Sequence, residues 1–338
     1  MTQGAVYVQT NEAENKVAHF GRNAAGGLER IADHATGGSG DGQAHLASQG
    51  SVVLAADGTH LLVANSASDD VSVFSVADDG SLDLIGRTPA GPAPKSVAEH
   101  RGLVYVLASG GPTVAGFTLG ESGLEPLSGA EQALSPDSDP AQVGLTPDGS
   151  TLVVTERGTN SITAIPVQAD GRLGTGRTVP SSGPTPYGFA LTGSGTLVVS
   201  EAFGAQKGKA AASSYSIEGA EITPVTRSVG NGRSEICWVV VSPDGRYAFS
   251  TNFADGAVSR YSIADDGSLS LDDATAAFSV DGRPGLRDQG LTADGDFLYA
   301  IDADSGSIFG WGVAHDGALS PIGSWGGLPD TVAGLACR

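Results

Sequence analysis

The chain has 338 residues, including 50 glycines and 17 prolines, and a formal net charge of −20. So acidic a balance argues against nucleic acid or an anionic membrane surface as partners, because both call for a basic patch, and no apolar run reaches the length of a membrane span. Its 40% apolar content, interleaved with the glycines, is enough for a packed core and excludes low-complexity disorder.

In chain order, the first predicted element is a strand over Ala5–Val8. No basic or long apolar segment precedes it, so a soluble, cytoplasmic protein is expected. An alternating strand from Val17 then runs into Gly26, with Leu28 two places on. The same unit returns at Val71–Leu82, Ile162–Leu173, Val258–Leu269 and Ile308–Leu319, where Asp-Gly supplies the positive φ of a tight hairpin. A second hairpin signal lies between these units. Asp57-Gly58, Asp148-Gly149, Asp244-Gly245 and Asp294-Gly295 each lead into an apolar strand, and Gly102 and Gly195 hold that place in two degenerate copies. Successive glycines of this second set are roughly 45 to 50 residues apart, the length of a propeller blade.

Each copy reads as four antiparallel strands, and the second strands number seven: Val6–Val8, Leu61–Val63, Val104–Val106, Leu152–Val154, Leu197–Val199, Tyr247–Phe249 and Phe297–Tyr299. The first copy lacks an innermost strand, while Thr331–Arg338 is a strand with nothing after it. Pairing these two completes the ring and removes an open sheet edge. The expected fold over residues 1–338 is therefore one all-β domain, a seven-bladed β-propeller closed by its C-terminal strand. Cys237 and Cys337 lie in apolar runs and read as small buried hydrophobes, not as a disulfide or a metal site.

In this topology the innermost strands start, and the second strands end, on one face around the central channel, where loops converge on a rigid frame. The second strands end at Asn11, Asn65, Ser109, Glu156, Glu201, Asn252 and Asp302; the innermost strands start near Lys95, Gln142, Tyr187, Trp238, Arg287 and Asp288. These groups suit a small polar ligand, or simply line a wet channel. Glu201 closes the otherwise apolar strand Leu197–Ser200; a carboxylate there could act as a base or orient water, or could sit in an ion pair. Arg287 could grip a carboxylate or phosphate with two N–H groups, or pair with Asp288 or Asp302. The long loop after Glu201 adds Lys207 and Lys209, two of the chain's four lysines, which with Arg233 and Arg287 would make a positive patch for an anionic substrate. Gln142, Tyr187, Trp238, Asn252 and Asp288 complete the expected contact set. No metal or cofactor is expected. The histidines, among them His34, His45, His60 and His100, lack metal-ligand spacing, there is no G-x-S-x-G elbow, and the run Gly37–Gly42 opens no helix.

The pattern Ser242-Pro243-Asp244-Gly245-Arg246-Tyr247, then Thr251-Asn252, Val258–Ile263 and Asp266-Gly267-Ser268-Leu269, resembles the lactonase family of seven-bladed propellers, which includes propeller-type 6-phosphogluconolactonase and the fungal carboxymuconate cyclases. The likeness runs along nearly the whole chain. It implies a site of one His, one Glu and one or two Arg at the channel mouth. Glu201 matches the Glu and Arg287 the last Arg. The His position falls on Ala141 or Gln142, and a second basic position within Gly183–Tyr187 holds Thr185 and Pro186. The leading expectation is a lactonase-like hydrolase, in which Glu201 activates water and Arg287 holds an anionic substituent or the developing oxyanion. Its substrate would be a small anionic lactone, derived from a sugar or bearing a carboxylate. One alternative is a muconate-type lactonising isomerase using the same residues in reverse. The other is a non-catalytic propeller that binds a small anion or a peptide, which the missing His favours. Either way a monomer is expected.

Overall fold

The Asp-Gly turns adopt the geometry their chemistry allows: Gly58, Gly149, Gly245 and Gly295 have φ of 71°, 75°, 74° and 77°. The structure, a computed structural model, describes residues 3–44, 46–280 and 283–338. Its hairpins assemble into seven four-stranded antiparallel sheets, here blades 1 to 7. The innermost strands, in blade order, are Ala333–Cys337, Val52–Leu54, Pro94–His100, Pro140–Leu145, Pro186–Leu191, Ile236–Val241 and Leu286–Leu291. Blade 1 joins the two ends of the chain, as the sequence predicts. Ala333–Cys337 pairs with Gly4–Gln9, setting Cys337 opposite Val6, Ala336 opposite Tyr7 and Leu335 opposite Val8.

The core is divided among the seams between adjacent blades. Alternation along each second strand feeds two seams at once. Val6 and Val8 pack toward blade 7 with Tyr299 and Ile301, while Ala5 and Tyr7 pack toward blade 2 with Leu61 and Phe74. The remaining seams are filled in the same way. Each fully buried Val, Leu or Phe contributes about 1.5–3 kcal/mol. Three second strands also latch onto the outer hairpin of the next blade through a tyrosine hydroxyl: Tyr7 to the Gly80 carbonyl (2.7 Å), Tyr105 to Gly171 (2.7 Å) and Tyr299 to Gly26 (2.6 Å). Opposite Tyr105 and Tyr299 the next strand carries Gly116 and Gly310, where a Cβ would come within 3.0 Å of the ring.

Cys237 and Cys337 are free, and burial pushes both thiols up to about 12. Among the described residues the only helical pieces are the 3-10 turns Phe203–Ala205 and Phe253–Asp255, and no helix is long and apolar enough to cross a membrane.

Candidate functional site

The innermost strands of blades 3 to 7 begin in the same irregular way. The residue before each is left-handed: Ala93 (φ 51°), Asp139 (39°), Thr185 (59°), Glu235 (55°) and Gly285 (146°). For a residue with a Cβ this conformation costs roughly 1–2 kcal/mol, and such strain gathers where side chains must be placed against local preference. The strand's first residue then pairs with the last residue of the second strand: Pro94 with Ala108, Pro140 with Glu156, Pro186 with Glu201, Ile236 with Asn252 and Leu286 with Asp302. Immediately after, the register slips, leaving Lys95, Ala141, Tyr187-Gly188, Cys237-Trp238 and Arg287-Asp288 outside the ladder. A bulge re-aims side chains, and here it turns them to the channel: Ala141, Tyr187, Cys237 and Trp238, from three blades, meet in one buried cluster.

The connection from blade 1 to blade 2 lies across this mouth. Arg287 donates to the carbonyl of Ala44, Lys95 Nζ to that of Ala47 (3.4 Å) and Trp238 Nε1 to that of Ser48 (2.7 Å). His45 lies outside the described residues. Gln49 reaches deepest: its N–H donates to the Ala141 carbonyl (3.2 Å), its carbonyl accepts from Ser96 Oγ (2.6 Å), and its side-chain amide clasps the backbone of Val239. That crossing accounts for the three-residue innermost strand of blade 2. Below it the channel is a cavity of about 560 Å³ whose lining includes Gln49, Gln142, Trp238 and Gln289, together with the final residues of the innermost strands, such as Leu54, Leu145, Leu191, Leu291 and Cys337. The free end of the bore is thus on the face opposite the bulges.

The charged groups at the mouth perturb one another. Burial, then Arg157, lowers the Lys95 ammonium to about 8. Arg157 Nη2 donates to both carboxylate oxygens of Asp139 (2.7 Å each), and its guanidinium lies 5.2 Å from the centre of the Tyr187 ring. Arg287 stacks 4.3 Å over Phe253. Asp288 is 5% exposed and accepts a 2.5 Å hydrogen bond from the N–H of Gly334; burial pushes its carboxyl up to about 7, against the pull of that bond and of Arg287. Burial also raises the Tyr187 phenol, within electrostatic reach of Cys237, Arg157, Asp288 and Arg287.

Several sequence-derived assignments change. Glu201 is fully buried and turned outward along blade 5, where it accepts hydrogen bonds from Gly183 N–H (2.8 Å), Ser213 Oγ (2.5 Å) and Ser228 Oγ (2.7 Å). Burial raises its carboxyl in spite of these donors. The arrangement is a repeat: the last residue of the second strand bonds a hydroxyl two residues into the third strand in Asn65–Ser72 (2.8 Å), Glu156–Thr163 (2.5 Å), Glu201–Ser213 and Asn252–Ser259 (3.0 Å). Glu201 and Asn252 are therefore blade ties, away from the mouth. Gln142 spends its amide on the Phe189 backbone (2.6 and 3.0 Å), bridging blades 4 and 5. The expected basic patch does not assemble. Arg233 lies on Ala274 and Thr275 of the outermost strand of blade 6, and Lys207 and Lys209 stand exposed on their loop, with no ion pair among the described residues. Tyr187, Trp238, Arg287 and Asp288 do gather at the mouth, with the Trp238 N–H already engaged. The sequence reading leaves Lys95 and Arg157 out of the contact set. A signal for Lys95 was present, because Pro94-Lys95 repeats the Pro186-Tyr187 start, and Arg157 directly follows a second-strand end.

A family model described as "Lactonase, 7-bladed beta-propeller" matches residues 2–110, 96–202 and 200–325. The chain belongs to this lactonase family. Among solved structures, the periplasmic gluconolactonase of Pseudomonas aeruginosa shares the lactonase-family fold with a TM-score of 0.77 at 16% identity, over 99% of this chain and 98% of that one. A protein of Bacteroides uniformis, provisionally named a 6-phosphogluconolactonase, gives 0.75 at 16%, over 98% and 99%. A Lactobacillus plantarum protein gives 0.76 at 14%, over the full length of both. At such identities the likeness shows the fold. No curated protein matches the chain. Of the two positions onto which the lactonase-family His falls, Ala141 is fully buried against Tyr187, Cys237 and Trp238, and Gln142 is the interblade bridge.

Proposed function

We propose that this lactonase-family chain hydrolyses a small lactone carrying an anionic group, at the bulge-lined mouth of the channel. One observation carries the reading: the two cations Arg287 and Lys95 each already donate to a carbonyl oxygen, those of Ala44 and Ala47. Lactone opening needs such donors on the carbonyl oxygen, where negative charge grows in the transition state. A lactone carbonyl that takes the place of these backbone oxygens meets the same two donors. These two cations, in a chain with net charge −20, also favour an anionic substituent such as a carboxylate or phosphate, whereas Arg157 beside them is paired with Asp139.

The test is to follow acid release at constant pH from matched neutral, carboxylated and phosphorylated sugar lactones. Saturable turnover is expected, fastest with the anionic lactones, and Arg287→Gln and Lys95→Met should each lower kcat/KM on the order of 10²-fold. Turnover no faster than the spontaneous reaction, on every lactone, sinks the proposal. A second reading has one observation in its favour: the mouth holds peptide carbonyls of its own chain, as a non-catalytic peptide-binding or anion-binding propeller would. Saturable binding of the anionic lactones without acid release would select it.

A further inference from the structure

We infer that Asp288 is the general base of this site, taking a proton from the water that attacks the lactone carbonyl; the inference rests on the proposed lactone hydrolysis. Asp288 sits on the same bulge as Arg287, so the base and the carbonyl-binding cation are consecutive residues. Its Oδ2 is fixed by the N–H of Gly334 in the closing strand, while Oδ1 accepts no hydrogen bond among the described residues. One oxygen is anchored and the other is left to accept a proton from water, the geometry a base requires. The groups facing it are Arg287 on its own strand, Cys237 of blade 6 and Tyr187 of blade 5. Burial holds its carboxyl at about 7, where a base is most effective near neutral pH.

Among the described residues, the carboxylates of Asp139, Asp255 and Glu201 and the Cys237 thiol are committed elsewhere. Asp139 gives both oxygens to Arg157, and Asp255 accepts from Ser234 N–H. The Cys237 thiol, pushed up to about 12, stays protonated. Glu201 is sealed inside blade 5.

The step balances as follows. The water oxygen bonds to the carbonyl carbon as its proton passes to Asp288 Oδ1, and the carbonyl π pair moves onto the oxygen held by Arg287. Collapse re-forms the carbonyl and breaks the ring C–O bond. The departing ring oxygen takes the proton back from Asp288, leaving a hydroxy acid and the base restored.

The experiment is the pH dependence of lactone hydrolysis by the full chain, for the wild type, Asp288→Asn, Asp288→Glu and Glu235→Gln, with each variant's melting temperature recorded. In the wild type, kcat should rise with pH through about 7. Asp288→Asn should lose about 10²-fold or more in kcat, with KM little changed, and should lose that acid limb. Asp288→Glu should recover part of the rate with a displaced limb, which separates a chemical role from a fold defect. If Asp288→Asn keeps its rate and its limb, or if Glu235→Gln removes the limb instead, the inference is overturned while lactone hydrolysis stands. If the wild type turns over no lactone, the functional proposal fails and the base assignment falls with it.

Discussion

The side-chain amide of Gln49 grips the backbone of Val239 at both ends: Nε2 donates to the Val239 carbonyl at 2.8 Å, and Oε1 accepts from its N–H at 3.1 Å. A residue from the connection between the first two blades is thereby fastened to the sixth, across the bore. It holds the neighbouring carbonyls of Ala47 and Ser48 on Lys95 and Trp238.

Gln49→Ala removes both bonds, together with a longer one from Nε2 to the Phe189 carbonyl (3.4 Å), and the melting temperature should fall by a few degrees, about 1–2 kcal/mol of stability. It also loosens the segment that a lactone must displace, so KM should drop severalfold. A lower melting temperature with KM unchanged, by calorimetry and steady-state kinetics on one preparation, would mean that the segment does not obstruct the substrate.

Glu201→Gln separates the blade-tie role from catalysis. Its three donors lose a charged acceptor in a buried place, so stability should drop by about 1–3 kcal/mol. Lactone turnover at a temperature well below unfolding should stay within about threefold of the wild type. A loss of 10² or more in kcat with an unchanged melting curve would restore Glu201 as a catalytic group. Ser213→Ala should mimic the stability loss, because it removes the shortest of the three bonds.

Acid sensitivity should come from blade 1. His19 and His34 lie on its third and fourth strands with ring centres 5.9 Å apart, and neither ring nitrogen of His19 has a partner. Tyr7, Asp79, Asp33 and Asp83 are the titratable groups around them. Burial lowers both imidazoles; His34 lowers His19 further, while Asp79 opposes the shift of His19 and Asp33 and Asp83 oppose that of His34. With the folded values below the unfolded ones, the unfolded chain binds more protons at these two sites below about 6.5, so their contribution to stability is full above that pH and falls on acidification. The raised carboxyls of Asp288 and Glu201 act in the opposite sense over the same range, so the wild type is read against His19→Phe. The difference in melting temperature between the two should be constant from pH 8 to about 6.5, and the wild type should lose stability relative to the variant toward pH 5. An unchanged difference down to pH 5 would assign the acid sensitivity to other groups.

The ring was readable because its signals are local. An Asp-Gly pair has few conformations open to it, and alternation decides which side of a strand is apolar, so repeat length, blade number and closure all followed. The site was less readable for reasons of direction. A carboxylate at a strand end looks the same in sequence whether it points into the bore or along its own blade, and for Glu201 the deciding clue was Ser213, as Ser72, Thr163 and Ser259 are for Asn65, Glu156 and Asn252. Arg233 was grouped with Arg287 by sign alone, although its side chain lies on the outermost strand of blade 6. The crossing by Gln49 depends on contacts up to 190 residues away in the chain, which no local pattern contains.

The slipped registers at the starts of the innermost strands have a consequence for how such a ring changes over time. Residues that sit outside the ladder, such as Lys95 and Arg287, take no part in the strand pairing of their own sheets, and the joining of one sheet to the next falls mainly to the seams and the tyrosine latches. The scaffold is in effect a set of interchangeable sockets. New side chains can be tried at the rim one blade at a time, and the chemistry can drift far while the backbone of a 16%-identical relative still superposes from end to end.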